Sequence, residues 1–123
     1  MREIKFLAWD KENKEMVEVE LLGNKVLLIK NGEWENIENF EVMQYTGLKY
    51  KNGCEIYEGY LLQHPNGTIA EIKYLDDLAA FVAVYTQNGN TKMDYLDKEI
   101  IKKCKIVWNR YESKQLLEGE KWI

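Results

Sequence analysis

The chain has 123 residues, a length that suits one compact domain or a small barrel with an extension rather than two full-sized domains. With 46% hydrophobic and 31% charged residues it has a core to bury and a water-compatible surface, and no apolar run approaches the roughly 20 residues of a membrane-spanning helix. Its 17 Lys and Arg against 21 Asp and Glu leave a net charge of -4, which argues against non-specific attraction to a phosphate backbone, so that any nucleic-acid role would need a local basic patch.

The opening Met1-Arg2-Glu3-Ile4-Lys5 interleaves charges with apolar residues and lacks the continuous apolar stretch of a signal peptide, so a cytoplasmic protein is expected. Glu15 to Leu21 alternates carboxylates with apolar residues at the two-residue period of a half-buried strand, its glutamates toward water. Of eight glycines, four follow asparagine directly, at Asn31-Gly32, Asn52-Gly53, Asn66-Gly67 and Asn88-Gly89. Asn tolerates a positive φ and Gly adopts it without steric cost, so each pair suits the type I′ turn of a hairpin. Gly32, Gly53, Gly67 and Gly89 are therefore structural turn residues, and the chain is predicted to be mainly β.

The predicted arms agree with the turns. Lys25–Lys30 and Glu33–Ile37 flank Asn31-Gly32, while Tyr60–Gln63 and Thr68–Tyr74 flank Pro65-Asn66-Gly67. Leu78–Tyr85 is the most continuous apolar run and reads as a central strand, although its Leu-Ala-Ala start also suits a helical turn. Asp94–Lys103 places Leu96 and Ile100 four apart, with acids early and lysines late as a helix dipole prefers, and predicts a short helix. Cys104–Trp108 returns to strand composition, and Ser113–Glu118 before Gly119 predicts a terminal helical turn.

Few residues point to chemistry. Cys54 and Cys104 lie 50 positions apart with no neighbouring thiol, which suits neither a zinc cluster nor a disulfide scaffold, so both are expected reduced and no metal or cofactor is expected. Cys54 follows a turn and should be exposed, whereas Cys104 sits among apolar residues and should be core. His64, the only histidine, reads as an exposed turn residue, and Asp76-Asp77 as a polar turn rather than a cation site. Lys98, Lys102, Lys103, Lys105 and Arg110, interleaved with Trp108 and Tyr111, make one basic and aromatic region, diluted by Asp94, Asp97, Glu99 and Glu112. A domain this small does not fully bury 15 aromatics, and Tyr and Trp are favoured at interfaces, so a protein-binding or self-associating surface is expected.

Three segments, Arg2–Asp10, Met43–Gly59 and Ile106–Leu117, together resemble the YopX family of small bacteriophage and prophage proteins. The opening Arg2-Glu3-Ile4-Lys5-Phe6-Leu7-Ala8-Trp9-Asp10 is similar to that family's start, with Leu7 where an arginine is usual. Met43-Gln44-Tyr45-Thr46-Gly47-Leu48, the turn at Asn52-Gly53 and Glu55-Ile56-Tyr57-Glu58-Gly59 resemble its central pattern of Tyr-Thr-Gly-Leu, a turn, and Ile-Tyr-Glu-Gly-Asp. Ile106-Val107-Trp108-Asn109-Arg110-Tyr111-Glu112-Ser113 with Leu116-Leu117 resembles its close, and Leu61–Lys105 matches by β character alone. The resemblance implies an SH3-like β-barrel in the C-terminal part (45–123), an N-terminal β-rich extension (1–44), one or two short helices, no enzyme activity and life in a bacterial cytoplasm. Gly47 and Gly59 would bracket the loop that leads into the first barrel strand.

The departures from that pattern exchange small or acidic residues for aromatics: Tyr50 and Tyr60 stand where aspartates are common, Trp108 where glycine is, and Arg110 replaces an apolar residue. At least two of Tyr50, Tyr60 and Trp108 are therefore expected on one interaction surface, and the competing account is repacking of a divergent core. The reading that results is a non-enzymatic phage or prophage accessory protein, acting on a bacterial or phage protein or as a homo-oligomer. The alternative is a nucleic-acid-associated module using region 98–111. An enzyme built on His64 and the carboxylates near Asp76 is the third reading.

Overall fold

Turns set the architecture. The computed structural model describes residues 3–111. Strands β1 (Phe6–Asp10), β2 (Glu15–Leu22), β3 (Val26–Ile29), β4 (Trp34–Asn36), β5 (Phe40–Lys49) and β6 (Glu55–Tyr57) form a six-stranded antiparallel sheet in the order β4-β3-β2-β1-β5-β6. Strands β7 (Tyr60–Gln63), β8 (Ile69–Leu75), β9 (Ala80–Gln87), β10 (Asn90–Tyr95) and β11 (Lys105–Asn109) form a second antiparallel sheet in the order β10-β9-β8-β7-β11, with one helix, α1 (Lys98–Lys103), before β11. The mainly β expectation is met, but the strands lie in two open sheets instead of a closed barrel. The expected division at 44/45 falls inside β5, whose first half pairs with β1 and whose second half pairs with β6. The terminal turn expected at Ser113–Glu118, Gly119 and Trp122 lie outside the described residues.

The four Asn-Gly pairs reverse the chain by two geometries. At Asn88-Gly89 both residues have positive φ, 53° and 79°, the type I′ arrangement that was expected. At the other three, Gly32, Gly53 and Gly67 alone carry the positive φ. Each of those glycines donates its N–H to the carbonyl three residues back, and each asparagine Oδ1 accepts from the N–H two residues on. These are three-residue loops: a type I turn closed by a left-handed glycine. The difference shifts the pairing by one residue, so Leu28, not Ile29, lies opposite Trp34. At the first turn of the chain Asp10 does the same work: its Oδ1 accepts from the N–H groups of Asn13 and Glu12 at 3.0 Å each, which holds its carboxyl below the ordinary value.

Two predicted boundaries move. The apolar run from Leu78 begins in a turn over residues 76–79, where Leu75 and Asp76 carbonyls accept from Leu78 and Ala79, and β9 starts at Ala80. The predicted helix Asp94–Lys103 shortens to Lys98–Lys103, because the hairpin at Asn88-Gly89 carries β10 through Tyr95. A cross-strand ladder satisfies those backbone groups and overrides local helix preference. Asp97 then caps α1, its Oδ1 accepting from Ile100 N–H at 2.9 Å, and Lys102 and Lys103 close the last turn.

Three buried clusters hold the sheets. Ala8, Leu27, Ile29 and Phe40 pack on one face of the six-stranded sheet. Ile56, Leu62, Ile72, Ile101 and Cys104 fill the space between the second sheet, β6 and α1. Trp9, Met43, Tyr45 and Tyr57, with Tyr60 and Tyr111 against them, form the seam between the sheets.

Candidate functional site

Alternation along each strand gives the six-stranded sheet two faces, and only one carries the cluster around Leu27. The opposite face is built from rows of cross-strand neighbours. Lys5, whose carbonyl accepts from Tyr45 N–H at 2.9 Å, begins a row that runs through Tyr45 to Tyr57. Its Nζ lies 5.6 Å from the Tyr45 ring centroid, 3.2 Å from Glu3 Oε2, and donates to Glu55 Oε2. Tyr57 Oη donates to Glu55 Oε1 at 3.3 Å. A groove of about 460 Å³ opens over this cluster, with Ile4, Leu7, Glu18 and Leu21 on its walls. Lys30 Nζ lies 3.2 Å from Glu18 Oε2 at its rim.

The same face turns apolar toward its outer corner. Leu21 pairs with Leu28 and Leu28 with Trp34, while Val26 stands two residues from Leu28 on the same side. Trp34 is 60% exposed, Leu21 57% and Val26 44%. An ion-paired groove beside an apolar step suits a polypeptide that brings both kinds of side chain, since apolar anchors supply binding energy and charges fix orientation.

Charge placement sets the electrostatics of the groove. The hydrogen bond from Lys5 holds the Glu55 carboxyl below its ordinary value of 4.5, and both glutamates raise Lys5. Burial, with the Glu55 charge adding to it, pushes Tyr57 up to about 12. A lowered carboxyl stabilises the fold above its ordinary range and loses that contribution as the pH falls through it; a raised phenol does so below 10.0 and loses it as the pH climbs toward 12. Thermal melting across a pH series should therefore fall off on both limbs. In Tyr57→Phe the alkaline decline should lessen but not vanish, because Lys5, Tyr45 and Tyr111 are raised as well, and the acid one should persist; an unchanged alkaline limb would assign it to those three groups.

The residues singled out in the sequence sit in several places. Tyr50 is half-buried against the Ile56 cluster, donates its hydroxyl to Cys104 O at 3.2 Å, and has Lys51 Nζ 5.4 Å from its ring centroid. Tyr60 is half-buried where the Ile56 cluster meets the seam, its ring 5.9 Å from that of Tyr57. Trp108 lies in β11 opposite Leu61, and Tyr60 opposite Asn109. Arg110 is exposed, its Nη1 2.9 Å from Glu71 Oε2 and its guanidinium over the Tyr111 ring. Tyr50 and Tyr60 thus share a packed core, while among the described residues the large exposed apolar side chains lie elsewhere, at Ile4, at Leu21, Leu22, Val26 and Trp34, and at Tyr74, Leu78, Met93 and Tyr95. Gly32, Gly47, Gly53, Gly59, Gly67 and Gly89 all have positive φ.

His64 departs from the exposed position expected of it. It is half-buried, its ring 5.7 Å from Tyr85 and its Nδ1 3.6 Å from Cys104 Sγ, a contact between residues 40 apart that no local pattern signals. Cys104 is buried and Cys54 exposed, both as free thiols, and burial raises the Cys104 thiol. A smaller groove of about 290 Å³ lies between His64 and the lysines Lys103 and Lys105. Among the described residues no group of three or more His, Cys, Asp or Glu is placed to hold a metal ion, and no helix is long and apolar enough to cross a membrane.

The open face was not assembled from the sequence. Lys5 and Glu55 are 50 residues apart, and the Leu28–Trp34 pairing depends on the three-residue loop. Its one usable signal was Asn31 followed by Gly32 and Glu33, once that loop length is known.

Comparison with known proteins bears on family and fold. A family model described as YopX protein matches residues 5–118. The crystal structure of protein EF1440 from Enterococcus faecalis matches with a TM-score of 0.67 and 24% identity, over 95% of this chain and 99% of that one, a likeness of fold. No curated protein matches.

Proposed function

This chain belongs to the YopX family, and on that footing we propose that it is a non-enzymatic phage or prophage accessory protein of the bacterial cytoplasm that works through protein–protein contact, including contact with its own copies. The observation that carries this reading is the part of the six-stranded sheet's open face left uncovered beside the seam, where the exposed Leu21 and Trp34, on either side of the half-buried Leu28, adjoin the Lys5–Glu55 groove. Trp is among the side chains most enriched in interface hot spots, and the exposed Leu21 and Val26 beside Trp34 add apolar area around it. Burial raises the Cys104 thiol, against the lowering that a nucleophile needs, which speaks against nucleophilic chemistry at that residue. Strands β7–β11 with α1 stand, in this reading, for the family's SH3-like barrel opened into a sheet, with β6 beside it as the edge of the other sheet.

Trp34→Ala decides it. The side chain is exposed, so the fold should melt within about 0.5 kcal/mol of the wild type, while affinity for a protein captured at fixed ratio should drop at least about 30-fold. Native mass spectrometry of tagged protein from a host lysate gives the ratio, and titration with that protein gives the affinity. Equal affinity in Trp34→Ala and Leu21→Ala would remove the open face as the contact surface. Co-purifying oligonucleotide with a steep salt dependence would instead favour region 98–111, where Lys103 and Lys105 flank the smaller groove.

A further inference from the structure

We infer that β10 is a self-pairing edge: two copies of the chain join through antiparallel β10 strands about a two-fold axis at Met93, so that Lys92 of each copy faces Asp94 of the other. The inference rests on the self-association part of the proposed function and gives it a surface and a register. Among the described residues the five-stranded sheet has two edges: β11, broken by a register shift between Ile106 and Trp108, and the regular β10, whose residues are exposed apart from the half-buried Asp94. Met93 is 49% exposed and Tyr95 61%. Edges β4 and β6 of the other sheet are three residues each, short enough to discourage pairing, whereas β10 offers six.

Backbone polarity restricts how a second strand can join. The tight turn makes Gln87 and Asn90 a hydrogen-bonded pair, and Leu96 N–H donates to Phe81 O at 3.1 Å at the other end of the ladder. Asn90, Lys92 and Asp94 therefore direct their backbone groups toward β9. Thr91, Met93 and Tyr95 direct theirs outward, and an incoming copy must match outward groups to outward groups. Antiparallel registers that do so over most of the strand are centred on Lys92, Met93 or Asp94. The first sets Lys92 against Lys92 and the last sets Asp94 against Asp94, both repulsive. Centring on Met93 sets each Lys92 opposite an Asp94, in a non-hydrogen-bonded position where side chains approach closely, and sets Thr91 opposite Tyr95.

Lys92 now donates to the neutral Gln87 Oε1 at 3.1 Å, a contact it would exchange for a carboxylate. A lysine on an edge strand ordinarily repels foreign strands. Here one partner neutralises it, a second copy in one register. The contact is isologous and consumes the edge on both copies, so assembly through it closes at two.

The test is sedimentation equilibrium of the full chain over a range of concentrations, with circular dichroism to verify the fold of each variant. The wild type should dimerise reversibly. Lys92→Asp should raise the dissociation constant at least about tenfold, and Lys92→Asp combined with Asp94→Lys should restore it. Met93→Pro should abolish the dimer and keep the β9–β10 hairpin, because the N–H it removes points outward. A wild type monomeric at every concentration overturns self-association itself. A dimer indifferent to Lys92→Asp and Met93→Pro overturns this edge and leaves self-association to another surface. Loss in Lys92→Asp without rescue in the double variant overturns the register.

Discussion

Trp9→Ala is expected to lower the unfolding free energy by about 3–5 kcal/mol, the range for truncating a buried Trp or Phe. Trp9 is 7% exposed on β1, stacked on the Tyr111 ring at 5.9 Å with an 18° interplanar angle, and packed with Met43, Tyr45 and Tyr57. That cluster is where the two sheets meet, so the cavity left behind has walls from β1, β5, β6 and the residues after β11. Rigid strands on either side leave little room for collapse, which places the cost in the upper part of the usual spread. Domains of this size have about 5–15 kcal/mol in total, so the loss is a large share of stability. Urea unfolding measures it, and a shift under about 1 kcal/mol would show that the seam does not hold the sheets together.

Gly59→Ala should cost about 2–4 kcal/mol, from two sources that add. Its φ of +88° is one that a residue with a Cβ adopts with strain, and the new Cβ would stand 3.2 Å from Met43 Sδ and 3.4 Å from Tyr111 Cε2. The backbone cannot easily give way, because Gly59 N–H donates to Ile72 O at 2.7 Å and its carbonyl accepts from Arg110 N–H at 2.8 Å. Gly53 is the internal control: its φ is +86° with open space around it, so Gly53→Ala should show the strain alone, about 1–2 kcal/mol. Equal losses at the two positions would mean that the close approach at the seam is relieved without cost. Because Gly59 and Trp9 share Met43 and Tyr111, the double variant should fall short of the sum of the singles.

These two positions also mark how far the sequence can be read. Gly59 was legible as a turn glycine within a family-like segment, but its contact with residue 111 was not. Trp34 was legible as one of several aromatics, and its face was not: a two-residue turn at Asn31-Gly32 would have set it opposite Ile29 on the core side. The three-residue loop sets it opposite Leu28 on the open side. Tyr50 and Tyr60 were marked by size as surface candidates, and both are packed against the Ile56 cluster. Whether an aromatic stands open depends on what another strand lays over it, which its own neighbours do not record.

The β class, the turn positions, the alternation of β2 with Glu18 and Glu20 outward, and the polar turn at Asp76-Asp77 were all legible in the order of the residues. Each follows from residues adjacent in the chain: positive φ at glycine, side-chain hydrogen bonds from asparagine, and the two-residue period of a pleated strand. Tertiary structure alone decided that the strands divide into two open sheets, that Lys5 meets Glu55, that His64 meets Cys104, and that β10 is left as an edge. Those outcomes depend on which strands find each other across tens of residues. There the free energy comes from burial and from backbone pairing summed over the whole ladder, and no local preference is strong enough to fix it.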